Sequence, residues 1–161
     1  MCFTTDNNHK PEDKCRPAFW SSVTPQDVAV LKGQNRGRRF SVENVIAVAK
    51  RCRHGYPQIL LCKPLSGAME PFPTIFWMTC PYLDKRCGEL ESEHKIRDLE
   101  ELFAAKEDEI KKFHMEYIDL RMSFISEREK DILTTKYPKL KEKLLKVGIG
   151  GINWHEAPFA A

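Results

Sequence analysis

Apolar and polar positions first fall into a helical rhythm at Thr24. Thr24 is placed to cap, Pro25 takes the first helical position and Asp27 the third, with Val28, Val30 and Leu31 following. The pattern predicts a short helix that ends near Gly33. A second helix is expected from Ser41, with Val42, Val45, Ile46, Val48 and Ala49 on one face, until Gly55 and Pro57 stop it. Two strand-like runs come next, Gln58–Cys62 and Thr74–Thr79, the second rich in β-branched and aromatic residues. The connection from Lys63 to Pro73 holds three prolines, which prevent regular pairing within it. An antiparallel pair of the two runs is the natural reading.

Pro81 suits the first position of a further helix, along which Leu83, Cys87 and Leu90 recur at helical spacing. From Lys95 to Ile125 the helical pattern is strong, as one long helix or an antiparallel pair, with apolar residues set among many charges. Ser126 and Glu129 form a capping box for another helix, Pro138 interrupts it, and Leu140, Leu144, Leu145 and Val147 carry an apolar side on to Gly148. The expected class is α+β, mainly helical, with a small antiparallel β-hairpin. Residues 1–22 are polar and proline-bearing without periodicity and read as a flexible N-terminal arm, on which Phe19 and Trp20 can dock against the body. Residues 23–161 read as a single domain.

Composition agrees with one domain. A chain of 161 residues with 42% hydrophobic and 30% charged residues can bury a core, which excludes a disordered class. No window approaches the roughly 18 to 20 apolar residues of a membrane helix, and residues 1–14 lack the apolar stretch of a secretory signal, so a cytoplasmic location without membrane insertion is expected. The net charge of +3 is unevenly spread, with 11 Lys and Arg against 6 Asp and Glu in residues 1–81. Lys32, Arg36, Arg38, Arg39, Lys50, Arg51 and Arg53 can meet phosphates, but no aromatic interleaving or reading motif accompanies them. A solvated surface is the preferred reading over nucleic acid.

Six cysteines in a chain expected to be cytosolic point to thiols rather than disulfides, and burial as a small hydrophobe is the commoner fate of each. Cys52 and His54 stand one residue apart at a turn, and Cys80 precedes Pro81 at a helix start, where unpaired amides favour thiolate. An antiparallel hairpin returns Cys80 toward that turn, so Cys52, His54 and Cys80 are the candidate metal ligands, with zinc as the candidate cofactor. The same residues permit a Cys80 nucleophile with His54 as base. Gly148, Gly150 and Gly151 form a candidate anion-binding turn, although a helix C-cap followed by a turn is preferred. The segment from Lys95 to Ile125 fits either an internal core or a helical adaptor docked on a protein partner.

The stretches Arg51–Gln58, Pro71–Leu83 and Gly148–Ile152 resemble, in content and order, the bacterial domain of unknown function family 501, and the resemblance runs from about Asn44 to Ile152. It implies a bacterial protein without an established reaction, whose relatives are encoded near cell-division and exopolyphosphatase genes. It also implies a second cysteine in many members where His54 stands, an exchange that suits a metal ligand. Relatives continue after the Gly-Gly-Ile turn into a Cys-Leu-His segment, whereas this chain ends Ala157–Ala161; a C-terminally shortened chain is therefore expected, with His155 as the candidate fourth ligand. The leading expectation is an uncharacterised protein with a structural zinc site joining hairpin to helices. The alternatives are a metal- or thiol-dependent enzyme acting on a phosphate compound and a helical adaptor linked to cell division. Substrate, partner and oligomeric state are not legible.

Overall fold

The computed structural model describes residues 20–35, 40–67, 69–72 and 74–153. Among them are six α-helices and one three-stranded antiparallel sheet of order β1-β2-β3. The helix α1 (Pro25–Gln34) opens with the expected reciprocal cap, in which Thr24 Oγ1 accepts from the Asp27 amide and the Asp27 carboxylate accepts from the Thr24 amide at 2.8 Å. A 3₁₀ turn at Val42–Asn44 then leads into β1 (Val45–Arg51), which pairs with β2 (Pro57–Cys62). β2 pairs in turn with β3 (Phe76–Met78), setting Leu60 opposite Trp77 and Leu61 opposite Phe76.

The expected hairpin is present, but the second helix expected from Ser41 to Gly55 is not: Val45–Arg51 is a strand. The cause is burial on both faces of the sheet. Ala47 packs with Trp20, Leu61, Ile75 and Tyr117, while the next residue, Val48, packs with Leu31, Leu60 and Cys62. A strand covered on both sides carries no polar alternation, and the register shifts along β1 disturb the period further. What remained was a row of valines and alanines whose spacing matched a helix equally well. The far edge of β1 is covered as well, by a bridge from Ser21 to Val48 with bonds of 3.0 and 2.9 Å.

The rest of the chain is helical: α2 (Pro81–Ser92), α3 (Lys95–Ala104), α4 (Glu107–Ser123), α5 (Glu127–Lys136) and α6 (Pro138–Lys146). The segment expected as one helix or a pair is a pair, parted at Ala105–Lys106. Ser126 and Glu129 make the expected capping box of α5, and Pro138 starts α6. A third cluster of Leu65, Ile125, Leu133 and Leu144 seals α5 and α6 against the end of α4 and the connection after β2. Of the arm expected at residues 1–22, Trp20 is docked, 7% exposed, with its ring 6.0 Å from Phe76 and 6.2 Å from Phe124. Residues 1–19 lie outside the described residues.

Candidate functional site

The turn between β1 and β2 is built by its backbone. The Cys52 amide donates to Tyr56 O, the Gly55 amide donates to Cys52 O, both at 2.9 Å, and Gly55 sits at φ 83°, a conformation suited to glycine. Within it the His54 amide donates to Cys52 Sγ at 3.4 Å, and Arg53 Nε donates to His54 Nε2 at 3.1 Å. Cys80 stands at the same end of the sheet, because the Thr79 amide donates to Gln58 O at 2.9 Å; it forms the N-terminal boundary of α2. The sheet order nevertheless leaves β2 between the other two strands, so the backbones carrying Cys52 and Cys80 are separated by two strand spacings, about 10 Å. Among the described residues no three His, Cys, Asp or Glu side chains are grouped to hold a metal ion. His155 lies outside the described residues.

The glycine turn after α6 is a 3₁₀ turn at Ile149–Gly151, closed by the Gly148 amide donating to Ile152 O at 2.8 Å. Gly150 and Gly151 take positive φ of 65° and 88°, and Gly148 is pressed against His114: a Cβ there would lie 2.2 Å from the imidazole Nδ1. His114 is buried on α4, and its Nδ1 accepts from the Ile149 amide at 3.1 Å. Two turns further along α4 the fully buried Arg121 donates to Leu144 O, Val147 O and Gly148 O at 2.7, 2.6 and 3.1 Å, meeting the carbonyl end of α6. Its guanidinium lies 5.0 Å from the centre of the Tyr117 ring, and burial lowers its pKa. These contacts hold the glycines in a turn that follows a helix end.

Two further groups of residues complete the surface. The first is the pair α2 and α3. Neither helix has a buried residue, yet Leu83, Cys87 and Leu90 recur along α2 and Ile96, Leu99 and Leu102 along α3 at helical spacing. Leu99 is 47% exposed and Leu102 55%, and Tyr82 and Leu90 are exposed beside them. Residues 81–104 also hold seven carboxylates against four Lys and Arg. The periodicity was visible in the sequence; that the apolar row would be left uncovered was not. The second is a cavity of about 690 Å³ between the connection after β2 and the corner joining α4 to α5. No local motif marks it, because its walls come from segments 60 residues apart.

Comparison with known proteins yields a match of residues 48–157 to the family model described as protein of unknown function (DUF501). No curated protein and no solved structure matches the chain.

Proposed function

Since the chain belongs to the DUF501 family, whose description assigns no activity, we propose from the surface it presents that it is a protein-binding module, docking a basic amphipathic helix of a partner on α2 and α3. The observation that carries this is the apolar row Ile96, Leu99 and Leu102, which stays exposed on a helix that buries nothing of its own. Exposed leucines scattered singly are ordinary, but a row at one-face spacing is the pattern by which one helix receives another. The excess of carboxylates around it selects the sign of the partner, because like charges disfavour an acidic helix and a second copy of the same acidic face.

The test is titration with two designed peptides of the same leucine spacing, one lysine-rich and one glutamate-rich. Selective, salt-sensitive binding of the lysine-rich peptide, abolished by Leu99→Glu with Leu102→Glu while the circular dichroism is unchanged, supports the reading. Equal binding of both peptides, no binding, or self-association that requires Leu99 overturns it.

Zinc held by Cys52, His54 and Cys80 is a separate proposal. It is favoured by the Thr79–Gln58 bond that brings Cys80 to the sheet end bearing the Cys52 turn, and it requires those side chains to converge around β2. Equimolar zinc in tag-free protein, lost in Cys52→Ser and Cys80→Ser, supports it; less than about a tenth of an equivalent overturns it.

A further inference from the structure

The cavity between the connection after β2 and the α4–α5 corner lies away from the α2–α3 surface, and its lining has a definite chemistry. Leu65, Phe124, Ile125 and Ile132 supply apolar walls, and Lys63 and Arg128 stand among the lining residues from opposite segments. Its volume of about 690 Å³ falls in the range of small-molecule sites, which are mostly apolar with a few placed polar groups. The one carboxylate in the lining, Glu129, is engaged: its Oε2 accepts from the Ser126 amide at 2.8 Å and from Ser126 Oγ at 2.6 Å, as the cap of α5. Lys63 and Arg128 form no ion pair among the described residues. Two exposed cations that form no ion pair among the described residues thus flank an apolar cleft whose acid is already committed to a helix.

The loop forming one wall is held in shape rather than left open. Leu65 bridges Pro71, the Ser66 amide donates to Glu70 O at 2.9 Å, and the Met69 amide donates to Ser66 O at 2.9 Å. Met69 is kept at φ 60°, a left-handed conformation that is unfavourable for a non-glycine residue. Strain of this kind persists where surrounding contacts over-determine it, and it gathers at ligand-binding segments. The wall is therefore preformed, which lowers the ordering cost of binding.

The geometry points to this cavity as a binding site for a single-chain amphiphile with an anionic head: the chain lies along Leu65, Phe124, Ile125 and Ile132, and the head pairs with Lys63 and Arg128. The inference is independent of α2 and α3. Neither a free inorganic anion nor a neutral hydrocarbon uses both halves of the lining.

Calorimetric titration of the full chain below micelle-forming concentrations tests it, with decyl phosphate, decanoate, decyltrimethylammonium and inorganic phosphate as probes. Decyl phosphate or decanoate is expected to bind at one equivalent, and the ratio of their affinities tells a phosphate head from a carboxylate. Lys63→Ala with Arg128→Ala should weaken binding roughly tenfold or more, since charge-assisted hydrogen bonds are worth about 1.5 to 3 kcal/mol. Ser123→Trp, a substitution at an exposed lining position, should block the cleft. Melting temperatures of both variants should stay within a few degrees of the parent, which separates lost binding from lost folding. Equal binding of the cationic amphiphile, inorganic phosphate binding as well as decyl phosphate, no binding of either anionic amphiphile, or binding unchanged in the folded variants overturns the inference.

Discussion

Arg51 grips the carboxylate of Asp27 with both terminal nitrogens, Nη1 to Oδ1 at 2.7 Å and Nη2 to Oδ2 at 2.8 Å, so the last residue of β1 is bolted to the first turn of α1. The same guanidinium donates from Nε to Ser21 Oγ at 3.1 Å and from Nη1 to Gly55 O at 3.0 Å. Asp27 also accepts the Thr24 amide and hydroxyl, so one buried carboxylate closes a helix cap and an ion pair together. The Arg51 guanidinium, aided by the Thr24 bonds and opposed by burial, holds the Asp27 carboxyl far below the ordinary carboxylate range. With the folded pKa below the unfolded value of about 3.9, this contribution is full above that value and fades as the pH falls through it toward the folded pKa. Asp27→Asn should cost about 3 kcal/mol at pH 7, as expected for a broken buried pair. Its urea unfolding free energy should fall less steeply than the parent's between pH 5 and pH 3, roughly the window in which that linkage operates.

Arg121 should tolerate no smaller cation. Its guanidinium reaches three carbonyls in fixed directions, whereas a lysine ammonium is a single point on a flexible stem. Arg121→Lys is expected to lose about 2 kcal/mol and Arg121→Ala more than about 3 kcal/mol, because buried acceptors at the end of α6 are left unpaired. Denaturant melts measure both, and hydrogen exchange should place the loss first at the Val147 and Ile149 amides.

Gly148→Ala drives a methyl group into the His114 ring, so it should destabilise by about 1 to 3 kcal/mol. In a His114→Ala background the same change should cost markedly less. A double-mutant cycle reads this coupling, and additivity of the two changes would refute the contact.

Thiol reactivity should separate two cysteines sharply. Burial pushes the Cys62 thiol up to about 12, and the side chain is 1% exposed, whereas Cys87 lies open on α2. At pH 8 an aromatic disulfide reagent should modify Cys87 in the folded protein and reach Cys62 only through unfolding. Single Cys→Ser variants assign the two phases.

Two leucines at similar helical spacing should respond in opposite ways. Leu144, 1% exposed in the cluster with Leu133 and Ile125, should cost about 2 to 5 kcal/mol when changed to Ala. Leu99, 47% exposed, should change stability by no more than about 0.5 kcal/mol when changed to Ser. A large loss at Leu99 would mean that α3 is packed rather than open, and would remove the basis of the docking reading.

Signals confined to a few consecutive residues were legible without a fold. Thr24 and Asp27, and Ser126 and Glu129, each place both partners of a cap within three residues, and both caps formed. The helix from Pro81 followed from the position of its ring, and Pro138, read as an interruption, parts α5 from α6. The hairpin of Gln58–Cys62 with Thr74–Thr79 was legible because β-branched and aromatic residues are bounded by prolines. The candidate ligands were harder. Placing Cys80 at the level of the Cys52 turn needed only antiparallel pairing, but that pairing left the position of β1 in the sheet open.

Within the chain itself, then, lay whatever a span of three or four residues can arrange: where helices begin, where proline halts pairing, and the general α+β class. Tertiary structure decided whether Val45–Arg51 coils or extends, because burial on both faces erases the alternation that marks a strand. It also decided that Arg51 meets Asp27 across 24 residues, that Arg121 meets the end of α6, and that Leu99 stays half exposed. Such contacts join groups far apart in sequence, so their energies depend on packing that no local pattern encodes.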